Sequence, residues 1–137
     1  MTFRRNAIAY LSTAVTFLSL DAVWLFTMAD RLYRPALGNM MLERFAIGPA
    51  LAFYAIYFAG IVVFVVAPAL NRERWRSAFA LGALLGLVAY ATYDLTNQAT
   101  LKGWPWQVTL VDLVWGSLLT ATSATVAYGM TRKLVRD

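Results

Sequence analysis

Three aspartates, Asp21, Asp94 and Asp112, lie inside long apolar runs of a 137-residue chain that contains no histidine and no cysteine. That composition excludes disulfides, Cys/His zinc sites, haem ligation by His or Cys, thiol chemistry and the Ser-His-Asp triad. What remains is chemistry on carboxylates, tyrosine, lysine, arginine and hydroxyls. An aspartate at the centre of a membrane helix costs about 2.5 to 3.5 kcal/mol on translocon scales, so three of them need a reason. Like carboxyls within a few ångströms of one another cannot all ionise without a counter-charge. They hold protons, bind a metal or an organic cation, or draw in a basic side chain. Arg31 and Arg34 are the basic residues at hand, and Arg34, between Tyr33 and Pro35, is the better placed. A carboxyl pair beside Tyr93 also meets the needs of acid–base chemistry, with one carboxyl protonated and one ionised.

The neighbours of the aspartates reinforce the pattern. Tyr90, Asp94, Asn97 and Gln98 recur at helical spacing, with Tyr93 beside them, a polar stripe that must face other protein rather than lipid. Leu20-Asp21-Ala22-Val23-Trp24-Leu25 is echoed by Val111-Asp112-Leu113-Val114-Trp115-Gly116. In both strings Asp and Trp are three apart, on one helix face, where the indole N–H of one helix can reach a carboxylate on another. The plain alternative is that these groups are interhelical hydrogen-bond contacts, worth about 0.6 kcal/mol each.

The elements that must position these residues follow from composition. Apolar residues make up 61% of the chain and charged ones 14%, against roughly 45 to 50% and about 25% in a soluble domain. Four apolar stretches, about 6–28, 47–70, 77–99 and 107–130, each reach the roughly 20 residues a helix needs to cross a bilayer. The expectation is a single all-α integral membrane domain over 1–137, with four transmembrane helices in one bundle. The first stretch exceeds the roughly 7 to 15 apolar residues of a signal peptide and lacks a clear small-residue cleavage site, so it reads as a retained span. Pro35 and Gly38, the charged stretch Asn71 to Arg76, and Gly103 with Pro105 mark the connections. In the first connection, Leu32, Tyr33, Leu37, Met40 and Met41 suggest a short helix lying on the membrane surface, against which Pro35 argues.

The net charge of +5 comes from twelve Lys and Arg against seven Asp and Glu. These basic residues flank apolar spans, which marks them as topology signals beside the lipid bilayer and speaks against a nucleic-acid partner. Arg4, Arg5, Arg72, Arg74, Arg76, Arg132, Lys133 and Arg136 fall on one side, and Arg31, Arg34, Arg44 and Lys102 on the other. Both termini are therefore expected in the cytoplasm, with Trp104 and Trp106 at the outer interface and Trp75 at the inner one. In that orientation the three aspartates lie roughly 7 to 11 Å below the outer surface, at 1.5 Å per residue. They form one layer.

Gly82 and Gly86 form a Gly-x-x-x-Gly pair suited to a close contact within the molecule, and Phe53, Tyr54, Tyr57, Phe58 and Phe64 make the second span an aromatic wall. The hydroxyls of Ser117, Thr120, Thr122, Ser123 and Thr125 in the last span are expected to bond back to their own helix.

At Asp21-x-x-Trp24-Leu25, Ala91-Thr92-Tyr93-Asp94-Leu95-Thr96-Asn97 with Ala99, Gly103-Trp104 and Asp112-x-x-Trp115-Gly116, the chain resembles the bacterial family of predicted membrane proteins known as domain of unknown function 2177. The resemblance runs over essentially the whole chain. It implies a four-helix inner-membrane protein and carries over no reaction, substrate or cofactor. Asp21, Trp24, Tyr93, Asp94, Asn97, Asp112 and Trp115 are the expected lining of an acidic, aromatic-walled pocket in the outer half. The function to expect there is binding of a small cationic or lipid-derived ligand, with its passage across the membrane as an extension. A small enzyme using Asp/Tyr acid–base chemistry on a lipid group and a structural subunit of a membrane complex are the alternatives.

Overall fold

Backbone N–H and C=O groups find no partner in hydrocarbon, so an apolar chain of this kind must satisfy them within helices. The computed structural model describes residues 2–135, and Arg136 of the charge count lies outside them. Four helical rods, Phe3–Met40, Ile47–Arg72, Trp75–Thr100 and Trp106–Leu134, are long and apolar enough to cross a membrane. No strand occurs among the described residues. The end of the bundle that holds the first and third connections is called the outer end, after its expected orientation.

The first rod corrects one expectation. Its α1 (Phe3–Met28) does not stop before a separate surface helix. It runs through a wide π turn, Ala29–Tyr33, into α2 (Arg34–Leu37) and a final 3-10 turn, Gly38–Met40. The reason is Pro35, which has no N–H and clashes with the carbonyl one turn back in a regular helix. The Arg34 N–H instead bonds five residues back to the Ala29 carbonyl, and Pro35 falls in the first turn of α2, where a missing N–H is tolerated. The second rod repeats the device. There α3 (Ile47–Ile61) passes through a π turn, Val62–Val66, into α4 (Ala67–Arg72), with the Ala67 N–H on the Val62 carbonyl just ahead of Pro68. Residue 73 then ends α4 in left-handed geometry (φ 55°), its N–H on the Leu70 carbonyl and the Arg74 N–H on the Ala69 carbonyl. That is a Schellman cap with glutamate where glycine is usual.

The last helix, α6 (Trp106–Leu134), is the axis of the bundle, with α5 (Trp75–Thr100) packed most extensively on one side and α1 on the other. Small residues make the α5–α6 approach possible. A Cβ on Gly82 would sit 2.8 Å from the Ala121 Cα, and one on Gly86 would overlap the backbone of Gly116. Gly116 in turn lies under the Tyr90 ring. The Gly-x-x-x-Gly pair is thus an internal contact. On the opposite face, Ala9, Thr13, Phe17 and Asp21 form the buried stripe of α1, four residues apart. Phe17 is fully buried and meets Tyr54, Tyr57 and Phe58 edge-on at 6.0, 5.6 and 5.2 Å.

The second span packs unevenly. Residues 61, 62, 65 and 66 of its inner part are buried, whereas the outer part, Ile47 to Phe53, stays exposed. Its α3 rests on α1, and it is the π turn and α4 that meet α5. This divergence opens a space at the outer end. Of the last-span hydroxyls, Thr125 bonds back to Ala121 as expected, but Ser117 donates across to the Ala83 carbonyl (2.8 Å) and Thr120 shares a hydrogen bond with the Tyr57 hydroxyl (2.7 Å).

Candidate functional site

The space at the outer end is a cavity of about 440 Å³ walled by all four rods and by Trp104 of the third connection. That size lies within the roughly 300 to 1,000 Å³ of ordinary small-molecule sites. Asp21, Trp24, Tyr93, Asp112 and Trp115 line it, joined by Leu25, Tyr33, Leu37, Phe53, Tyr54, Tyr90 and Trp104.

Its polar framework consists of two hydrogen-bonded chains that cross between α1 and α6. Asp21 accepts from the Tyr54 hydroxyl at 2.8 Å and from the Trp115 indole at 3.3 Å. Asp112 accepts from the Tyr33 hydroxyl at 2.5 Å, and Tyr33 accepts from the Trp24 indole at 2.9 Å. Each Asp-x-x-Trp string therefore sends its indole toward the other helix's carboxylate, directly in one case and through Tyr33 in the other. The two indoles stack between the chains, with centroids 4.3 Å apart and planes at 9°. Every donor in this framework is a neutral aromatic group. No cationic side chain takes part in it.

The basic residues of the first connection do not enter. Arg34 pairs with Asp30 one turn back at 3.1 Å, with both side chains exposed, and Arg31 is exposed as well. The group delivered from that connection is Tyr33. Among the described lining residues there is no lysine or arginine.

Two of the expected residues stand apart from the cavity. Asn97 is half-buried and not part of the wall, and Asp94 is completely buried behind it. Both Asp94 carboxyl oxygens lack a hydrogen-bond donor among the described residues. The Asp112 carboxyl is a near neighbour. Of the three carboxyls, then, only those of Asp21 and Asp112 look into the space.

Trp104 is turned into the protein. It is 8% exposed, and its indole donates to the Thr109 hydroxyl at 3.0 Å. Thr109 donates to the Gln98 carbonyl oxygen, and the Gln98 amide donates to the Trp104 backbone carbonyl. This closed ring locks the third connection over the cavity, where Trp104 meets Tyr93 edge-on at 5.6 Å. Trp106, by contrast, is exposed.

Sequence reasoning missed Tyr33 and gave Tyr54 only a packing role. Trp24 and Tyr33 are nine residues apart, on opposite faces of a straight α-helix at 3.6 residues per turn. The π turn between them alters that phase. Tyr54 had a usable signal, since a tyrosine at the depth of a buried carboxylate in another span is a ready donor.

An apolar exterior and four rods long enough to span, with an aromatic cavity at one end, define a multi-pass membrane protein. The chain belongs to the family of predicted membrane proteins DUF2177, whose family model matches residues 6–129. No curated protein and no solved structure matches it.

Proposed function

We propose that this protein binds a small organic cation, free or as the head group of a lipid, in the outer cavity of a bacterial inner-membrane bundle. The reading is carried by one observation: Asp21 and Asp112 face an aromatic cage that includes Trp24, Tyr33, Tyr54, Tyr90 and Trp115 and, among the described residues, contains no lysine or arginine. Carboxylates supply the counter-charge, and aromatic faces attract ammonium groups by about 0.5 to 2 kcal/mol each as the site is desolvated. An anionic head group would find no partner there. A metal ion is less well served, because no three acidic groups among the described residues gather around a point. Inward of the cavity the core is closed by Phe17, Ile61, Val65 and Leu119, which favours binding over passage.

Tetramethylammonium is the direct test. In lipid nanodiscs it should stabilise the protein against heat in a saturable way, by about 2.7 kcal/mol at a hundredfold excess over its Kd. Sodium at equal ionic strength should not. Equal shifts for the two salts would overturn the reading. An alkyltrimethylammonium amphiphile measured alongside tells a lipid-borne cation from a free one.

The orientation has its own test. With basic residues divided eight to four between the two sides, reporter fusions after Asp137, outside the described residues, should be active in the cytoplasm, and fusions at Gly103 in the periplasm. Periplasmic activity of the C-terminal fusion would invert the molecule and place the cavity at the inner leaflet.

A further inference from the structure

Most sides of the cavity are tied shut. Inward, Phe17, Ile61, Val65 and Leu119 fill the bundle. Between α1 and α6 stand the two hydrogen-bonded chains and the stacked indoles of Trp24 and Trp115. The Gly86 contact draws α5 against α6, and α3 is fastened to α1 by the Tyr54 hydroxyl on Asp21 and by the Tyr10 hydroxyl on the Ala55 carbonyl (3.1 Å). Trp104 lies over the outer end, held by Gln98 and Thr109. The side between α3 and α5 differs. No hydrogen bond joins these two helices among the described residues, and the second span packs on α5 through its π turn and α4, further inward.

The wall residues on that side are the ones left open. Phe53 on α3 and Tyr93 on α5 line the cavity and are nonetheless 46% and 56% exposed, whereas Asp21, Asp112 and Trp104 on the other sides are 8% exposed or less. The flanks of the gap suit hydrocarbon. Leu51, Ile56 and Val88 are exposed beside it, and the exposed hydroxyls of Thr92 and Thr96 are bonded back to their own helix.

We infer that the cavity opens sideways into the membrane between Phe53 and Tyr93, and that its ligand is a lipid whose cationic head group enters there to reach Asp21 and Asp112 while its chains stay in the leaflet outside. The inference rests on the cation reading above and adds the source of the ligand and its route. An ammonium group passing between the two rings is attracted by the face of each, so it meets no unbroken apolar wall. Neither ring belongs to the hydrogen-bonded framework of the carboxylates, which therefore stays intact as the head group moves in. The chains keep their hydrocarbon surroundings throughout.

The experiment is photolabelling of the full chain in nanodiscs of phosphatidylglycerol, a lipid that brings no ammonium group of its own. The probe is a trace of dodecyltrimethylammonium carrying a diazirine on its chain close to the nitrogen. Peptide mapping should place the label within 47–56 of α3 and 88–96 of α5, and tetramethylammonium at about ten times its Kd should reduce that label about tenfold, because the two cations compete for one site. Label that is reduced in this way but falls on α1 and α6 would overturn the slot and leave the cation site standing. Label that tetramethylammonium does not reduce, in a protein that it stabilises against heat, would overturn the lipid source, the bound cation then being a free one. A protein that tetramethylammonium neither stabilises nor protects from labelling loses the cation reading and this inference together.

Discussion

Asp112→Asn is expected to weaken tetramethylammonium binding about 100-fold, close to 2.8 kcal/mol, while leaving the folded protein as heat-stable as wild type or more so. The binding loss follows from deleting a desolvated counter-charge, whose removal costs far more than that of an exposed one. The intact fold follows from the hydrogen bonds. Asp112 uses one oxygen to accept from Tyr33, a role the asparagine carbonyl keeps, and the new amide can donate to the unpartnered oxygens of Asp94. Asp94 does not substitute as a counter-charge, because it is sealed behind the wall. Asp21→Asn is the less clean variant. Asp21 accepts from Tyr54 on one oxygen and from Trp115 on the other, so an amide there leaves one buried donor unpaired, at about 1 to 3 kcal/mol. Thermal shifts of Asp112→Asn with and without the cation decide the matter, and undiminished binding would show that the ligand does not sit against this carboxylate.

Gly86→Leu should be the most damaging single substitution for the fold. A side chain at Gly86 meets the carbonyl and Cα atoms of Gly116 and Ser117, which are backbone and cannot swing aside. Relief requires α5 and α6 to separate along the most extensive contact in the molecule. Because lipid replaces protein contacts at no hydrophobic loss, that close packing is what holds the two helices together. The expected cost is at least about 3 kcal/mol, seen as loss of the monodisperse peak in detergent. Gly129→Leu is the control, since a Cβ at Gly129 meets nothing within 4 Å. Equal chromatographic profiles and melting temperatures for the two variants would dismiss the glycine contact as the determinant of helix packing.

The sequence by itself determined the four rods, because an uninterrupted apolar run can satisfy its backbone in lipid only as a helix, whatever its neighbours do. It also determined that Asp94 and Asp112 lie at matching depths near the outer ends of α5 and α6, since depth along a helix is a matter of counting residues from its end; for Asp21 that count has no such basis, because the first rod runs on past Met28 to Met40. Gly82 and Gly86 were legible as a close-contact pair for the same reason, their spacing being local. What only the tertiary structure decided is which way each side chain points around its helix. Asp21 and Asp112 look into the cavity and Asp94 does not. Arg34 turns out to Asp30 while Tyr33 turns in to Asp112. Trp104 folds back under the ring formed with Gln98 and Thr109. Prolines 35 and 68 were plain in the sequence, yet the π turns ahead of them were not, and the first of these brings Tyr33 within reach of Trp24. Rotation about a helix axis is set by contacts made far away in the chain, here the bare backbone of Gly86 against Gly116 and the ring of Tyr90 over it, and no local spacing encodes it.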